Sequence, residues 1–135
     1  QAVGMRCRES LLQLVRALAD DAMVPAGDPV PKRADFVHWS ELIAGHVASG
    51  SSAAEIRGYL KALGRSAWSL VGWLTHASNA RRADARIAIS ATEAVLVAFG
   101  TAVHRREVVG QLDRCPRCRS YSIASESAPD GADQS

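Results

Sequence analysis

Apolar and small residues recur at alternating intervals of four and three positions through residues 52–79. This spacing predicts one long α-helix, because the members of such a stripe lie on one face of a helix. The stripe keeps its phase on both sides of Gly64, so we expect the helix to continue through this glycine, although glycine costs about 1 kcal/mol relative to alanine. Ser52 and Glu55 predict a capping box at its start. The stripe consists of Ile56, Leu60, Leu63, Ala67, Leu70, Leu74 and Ala77.

Similar stripes predict three further helices, at about residues 4–23, 35–49 and 82–108. The prolines of segment 25–31 end the first of them, and Asp35 is the predicted cap of the second. A tight turn at residues 78–81 joins the third helix to the fourth. The pattern therefore predicts an all-α fold, an antiparallel four-helix bundle with a long hairpin of the third and fourth helices.

We expect this bundle to occupy residues 1–110, followed by a CxxC turn resembling a zinc knuckle at residues 111–124 and a disordered tail at residues 125–135. Of 135 residues, 47% are hydrophobic and only 5% aromatic, which suits closely packed helices better than a β-sandwich. The net charge of +2 is too small to indicate nucleic acid by itself. The chain has no uninterrupted apolar run of membrane-spanning length, so we expect no membrane contact and a cytoplasmic location.

Two of the three cysteines form the turn Cys115-Pro116-Arg117-Cys118. Two thiolates at this spacing fit one tetrahedral Zn²⁺ ion, so zinc is the expected cofactor. In a four-helix bundle the start of the first helix and the end of the fourth meet at one end, which makes Cys7 and His104 the predicted remaining ligands. The alternatives are a buried, unliganded Cys7 and redox chemistry at the CxxC turn.

Two groups of polar residues are candidates for catalysis or binding. His76 and Asn79 share a helix face beside the charged residues that follow the turn, which suits acid–base or phosphate contacts as well as simple helix capping. Arg6, Arg8 and Glu9 lie at the edge of the first helical stripe, where they either line a pocket between helices or form salt bridges with a neighbouring helix.

The C-terminal region is basic around the CxxC turn, which raises the alternative of contact with RNA or another nucleic acid. Acidic residues nearby favour a solvated surface instead. The basic residues are His104, Arg105, Arg106, Arg114, Arg117 and Arg119, with Tyr121 beside them.

Three segments resemble a helical domain of uncharacterised bacterial, mostly actinobacterial, proteins: RCRES at residues 6–10, WLTHASNARRADA at residues 73–85 and CPRC at residues 115–118. The resemblance covers most of residues 5–123 and implies a helical module of a larger bacterial protein.

The helical layout also resembles the HEPN bundles of abortive-infection and toxin ribonucleases. Their signature is an arginine followed four to six residues later by a histidine in a late helix. Arg33 and His38 match this spacing, but they span a loop and the start of the second helix. The resemblance implies Arg33 and His38 as catalytic residues of a ribonuclease.

The sequence favours a non-enzymatic helical binding or assembly module, stabilised by zinc, over a HEPN-like ribonuclease effector. Its expected partner is another protein or a second copy of the same chain. The reason is that long, alanine-rich helices together with exposed Trp68 and Trp73 leave apolar surface uncovered, which makes a dimer the expected state.

Overall fold

The computed structural model describes the backbone of residues 2–114 and the side chains of residues 2–110. Within this part of the chain the fold is all-α, with no strand, and the predicted fold class is confirmed. The helices are α1 (Ala2–Leu18), α2 (Phe36–Val47), α3 (Ala54–His76) and α4 (Arg82–Arg114). Cys115, Cys118 and the predicted tail lie outside the described residues.

Helix α3 is continuous through Gly64, as the unbroken stripe predicts. It packs against both α1 and α2. Gly64 is buried, and a Cβ atom at this position would lie 3.2 Å from Oγ of Ser40 in α2. Gly4 in α1 plays the equivalent part, since a Cβ atom there would lie 2.9 Å from the backbone nitrogen of Thr75. These two glycines therefore allow α3 to approach its neighbours closely.

The predicted capping box of α3 is wrong. Ser51–Ala53 forms a short 3-10 turn, Ala53 takes the N-cap position of α3, and no side chain caps the helix there. Ser52 lies within the 3-10 turn, one residue before the N-cap, so its hydroxyl is not placed to accept from the first amides of the helix.

A side chain from within α3 secures its junction with α2. The guanidinium Nη1 of Arg57 donates to the carbonyl oxygen of Ala48 at 2.7 Å and to that of Gly50 at 2.9 Å. Gly50 has a φ of 89°, a conformation that glycine adopts readily. Arg57 thus satisfies carbonyl groups that the end of α2 leaves without a helical partner.

Helix α1 ends at Leu18, earlier than predicted. The carboxylate of Asp20 accepts from the backbone N–H of Ala22 at 2.9 Å and begins a 3-10 turn at Asp21–Met23. Such a local side-chain bond competes with continuation of the helix. The prediction for α2 is confirmed, because the carboxylate of Asp35 caps the N–H of His38 at 3.3 Å.

Helix α4 begins at Arg82 as predicted but runs on to Arg114, past the expected end near residue 108. The carboxylate of Asp84 accepts from the backbone N–H of Arg81 at 2.9 Å and fixes the start of the helix. The chain divides after Ala102 into two units, so that the end of α4 belongs to the second unit.

Among the described residues, one helical stretch, Arg82–Gly110 of α4, is long and apolar enough by length and composition alone to cross a membrane. This differs from the expectation that no such stretch exists. The reason is that Glu93 is the only charged side chain between residues 87 and 103, and a single charge does not lower the mean hydropathy of 1.5 below that of a spanning helix. Only 28% of the apolar window is buried within the structure.

The largest buried side chains are aromatic. Trp39 and Phe36 of α2 are fully buried, and the indole N–H of Trp39 donates to the carbonyl of Pro31 at 3.1 Å. Trp68 is not exposed as predicted but half-buried, and its ring stacks on Phe36 with the ring centroids 4.9 Å apart. Trp73 is 45% exposed, in agreement with the prediction.

The close approach at Gly4 predicts opposite effects for two alanine substitutions. Gly4→Ala places a Cβ atom against the backbone of Thr75 and should lower the free energy of unfolding by about 1–3 kcal/mol. Gly72→Ala, in the interior of α3 with no atom within 4 Å of the new Cβ, should raise it by up to about 1 kcal/mol. Urea denaturation measures both, and equal effects of the two substitutions would contradict the packing described here.

Candidate functional site

A groove between α1 and α4 combines apolar walls with charged groups. Its volume is about 370 Å³, which lies in the range of small-molecule sites. Helix α1 lines it on one side and the first half of α4 on the other. The lining residues are Val3, Arg6, Cys7, Ser10, Ile89, Thr92, Glu93 and Leu96.

The floor of this groove is buried. Cys7 is a free cysteine with 6% of its surface exposed, because it belongs to the buried stripe of α1. Thr92 is 5% exposed, and its hydroxyl donates to the carbonyl of Ala88 at 2.8 Å, within its own helix. The floor therefore offers a small thiol and a hydroxyl whose proton is already engaged.

The groove carries one charge of each sign. Arg6 from α1 and Glu93 from α4 both line it, and both are exposed. In the part of the chain that the structure describes, neither forms an ion pair, so they are not paired with each other. The groove thus presents an unpaired guanidinium and an unpaired carboxylate beside an apolar wall.

Arg8 and Glu9, two of the residues predicted to line a pocket, do not line this groove. The guanidinium of Arg8 lies over the ring of Trp68, with Cζ 4.7 Å from its centroid. The carboxylate of Glu9 accepts from Arg16 at 2.7 Å and from Gln13 at 3.1 Å. These contacts follow the salt-bridge and packing alternative for the edge of α1.

The bond from Arg16 is the main cause that holds the pKa of Glu9 below its usual value, and the bond from Gln13 adds to it. Both hydrogen bonds favour the ionised carboxylate, because both donors need an oxygen atom that carries no proton.

The structure describes two of the four predicted zinc ligands, Cys7 and His104. Cys7 is buried in the groove, His104 is exposed on α4 within the second unit, and Cys115 and Cys118 lie outside the described residues. Among the described residues no group of three or more His, Cys, Asp or Glu side chains could hold a metal ion. The four-ligand site stays a prediction.

The predicted ribonuclease pair, Arg33 and His38, contacts different neighbours. Arg33 forms an ion pair with Asp21 at 3.1 Å, and its guanidinium lies over the ring of Trp39, with Cζ 4.5 Å from the centroid. His38 lies at the start of α2, exposed, with Nδ1 3.8 Å from a carboxylate oxygen of Asp35. These contacts give no specific support to an active site built from the pair.

The other catalytic candidates, His76 and Asn79, are both exposed at the end of α3 and in the turn that follows. The nearby Asp84 caps the first turn of α4 through Arg81, which agrees with the capping alternative for this segment. A second cavity, of about 420 Å³, lies elsewhere, between α2, α3 and the 3-10 turn after α1. Its lining is Ala22, Met23, Glu41, Leu42, Gly45, His46 and Lys61.

The outward face of α4 is uncharged and exposes large apolar side chains, in addition to the apolar face turned to the core. Ala88, Val95 and Phe99 are fully buried, whereas Ile87 and Val97 are 57% and 67% exposed. A second stripe at intervals of three and four residues runs along the exposed side of the helix. This outer stripe consists of Ile87, Ser90, Ala94, Val97 and Thr101, all exposed.

Sequence patterns do not directly indicate Ile89, Glu93 and Leu96 as groove residues. One signal was present, because Glu93 stands alone as a charge in an otherwise uncharged helical stretch. An isolated charge of this kind is either exposed at a rim or paired, and here it lies at the rim of the groove.

The fold and these surfaces define an all-α protein with a small-molecule-sized groove and an uncovered apolar helix face. The chain matches none of the known protein families, curated proteins and solved structures with which it was compared.

The Glu9–Arg16 contact predicts a measurable pKa change. Arg16→Gln should raise the pKa of Glu9 toward the usual value of a glutamate, because the principal donor to its carboxylate is lost. A folded-state pKa below the unfolded value stabilises the protein at neutral pH, and this stabilisation disappears as the pH falls through the folded pKa. The stabilities of the wild type and Arg16→Gln should therefore converge in acid.

A carbon-detected NMR titration of the Glu9 carboxyl group measures this shift. Arg86→Gln, which removes an exposed arginine of α4, serves as the control and should leave the pKa of Glu9 unchanged. An unchanged pKa in Arg16→Gln would contradict the assigned cause.

Proposed function

We propose that this chain is a non-enzymatic helical assembly module that binds a second copy of itself through the outer stripe of α4. The observation that carries the proposal is the exposure of large apolar side chains on this helix, above all Val97 at 67%. An amphipathic helix that packs on one core buries one apolar stripe and exposes polar residues on the other side. Helix α4 has an apolar stripe on each side, so the outer one requires a partner.

The order of residues in the outer stripe favours self-association. In an antiparallel pair of α4 helices centred on Ala94, Ile87 of one copy is level with Thr101 of the other, and Val97 is level with Ala91, one residue from Ser90. Each large side chain then faces a small one, and the same patch is used twice, as a two-fold interface requires. The stripe itself has no charged member, and the one charged residue between Ile87 and Thr101 is Glu93 at its edge.

The proposal includes a four-helix bundle in which α3 runs antiparallel to its neighbours α1 and α2. Contacts between α1 and α3 support opposite directions, because Gly4 meets Thr75 while the later residue Arg8 meets the earlier residue Trp68. Helix α2 also runs opposite to α3, since Phe36 meets Trp68 and Ser40 approaches Gly64. Helices α1 and α2 are therefore parallel to each other, which differs from an alternating up-and-down order of the first three helices. Such a bundle leaves a face of its outer helices available for assembly.

Structural zinc at Cys115 and Cys118 is the second part of the proposal. The two-residue spacing of the cysteines supports it, since this spacing places two thiolates on one tetrahedral ion. Cys7 and His104 stay predicted further ligands, and the parallel directions of α1 and α2 do not supply the alternating helix order from which they were chosen. Zinc at this turn would contribute folding free energy directly.

The described contacts of Arg33 and His38 do not support the ribonuclease alternative. Arg33 is engaged by Asp21 and Trp39, and His38 by the cap of its own helix. We therefore do not propose catalysis for this pair.

Val97→Asp should convert a dimer into a monomer. An unpaired carboxylate at the contact, present twice in a two-fold pair, should weaken association about a hundredfold or more. Light scattering coupled to size-exclusion chromatography measures the mass at several protein concentrations. Val30→Asp is the matched control, since Val30 is 51% exposed in the loop before α2, and this variant should remain dimeric.

A wild-type chain that stays monomeric at high concentration, or a dimer that survives Val97→Asp, would contradict self-association. Sedimentation with phosphatidylcholine vesicles that is lost in Val97→Asp but kept in Val30→Asp would assign the outer stripe to a membrane instead.

Metal removal tests the zinc proposal. Elemental analysis should find about one zinc ion per chain, and a chelator should lower the melting temperature of the wild type. Cys115→Ser should have the lower melting temperature without chelator and should not respond to it, because the site is already lost. Cys7→Ser tests the wider ligand set: if its zinc content equals that of the wild type, Cys7 is not a ligand.

A further inference from the structure

We propose that the groove between α1 and α4 binds a small zwitterion with an apolar body, of the chemical class of a free amino acid with an aliphatic or aromatic side chain. This function is separate from assembly through the outer stripe. The proposal rests on three features of the groove: its size, its apolar wall and its two unpaired charges.

The apolar body would lie along the wall and floor. Val3, Ile89 and Leu96 supply aliphatic surface, and the floor is closed by the buried thiol of Cys7 and by Thr92. The hydroxyl proton of Thr92 is engaged within its own helix. An apolar group entering here therefore leaves no buried donor without a partner. A volume of about 370 Å³ accommodates a molecule of this size.

The charges select for a ligand that carries both signs. Arg6 and Glu93 project from different helices to one groove and are paired neither with each other nor with another described residue. A simple anion would be attracted by Arg6 and repelled by Glu93. A simple cation would be attracted by Glu93 and repelled by Arg6. A zwitterion places its carboxylate by the guanidinium and its ammonium by the carboxylate, so both contacts are favourable.

The groove and the outer stripe use different sides of α4. The groove is lined by Ile89, Thr92, Glu93 and Leu96, whereas the outer stripe has none of these residues. Arg6 belongs to α1, so its substitution tests the groove without changing the outer stripe. Glu93 lies one helical turn from Ser90 and Val97, so the oligomeric state of its variants is measured alongside binding.

Three probes with the same apolar body separate the contributions: L-phenylalanine carries both charges, phenethylamine lacks the carboxylate, and 3-phenylpropanoate lacks the ammonium group. Each is titrated into the full ¹⁵N-labelled chain, and amide shifts are followed by NMR. L-phenylalanine should bind with an affinity of about millimolar, as its size allows, and should shift amides of α1 and α4 around the groove. Each single-charge analogue should bind about fivefold more weakly.

Charge exchange then tests the assigned residues. Arg6→Glu and Glu93→Arg should each weaken L-phenylalanine binding about fivefold, and the double variant should restore it, because the zwitterion binds in the reverse orientation. Arg86→Gln is the control and should bind as the wild type does. A lack of binding, equal binding of all three probes, shifts confined to another surface, or no restoration in the double variant would each overturn the proposal.

Discussion

Helix α3 is held between α1 and α2 at contacts that depend on very small residues. Gly4 lies against the backbone of Thr75, and Gly64 lies against Ser40, so that a single added carbon would crowd either contact. Near these contacts, Trp68 stacks on Phe36 and lies beneath Arg8, which joins all three helices through one side chain. The arrangement of α1 and α2, and hence the place of Cys7 and Arg6 on the groove, depends on this central helix.

The two surfaces with functional interest both involve α4, and they arise from the same property of its sequence. The helix is apolar over most of its circumference, so one side fills the core with Val95 and Phe99 while another leaves Ile87 and Val97 uncovered. Glu93 interrupts this apolar surface once, at the rim of the groove. Within the described residues this helix keeps part of its apolar area exposed, and the proposal of self-association rests on that exposure.

Several side chains that could take part in catalysis instead stabilise local structure. Asp84 and Asp35 cap helices, Glu9 pairs with Arg16, and Arg57 holds the end of α2. Charged residues near helix ends are therefore weak indicators of catalysis, since the unsatisfied backbone groups at those ends require partners of the same kind. The groove differs because Arg6 and Glu93 form no such local contact with the residues that the structure describes.

The sequence by itself determined the helical class, the continuity of α3 through Gly64, the cap at Asp35 and the start of α4, because periodic spacing and capping are local properties of the chain. It did not determine the 3-10 turns that shorten α1 and replace the capping box of Ser52. The reason is that a few local hydrogen bonds decide between conformations of nearly equal free energy. Only the tertiary structure decided that Trp68 is covered, that Arg8 leaves the groove while Arg6 lines it, and that Ile87 and Val97 are exposed. Those outcomes depend on which helices pack against each other. Spacing of three and four residues identifies the apolar face of a helix, but it does not identify the element that covers this face.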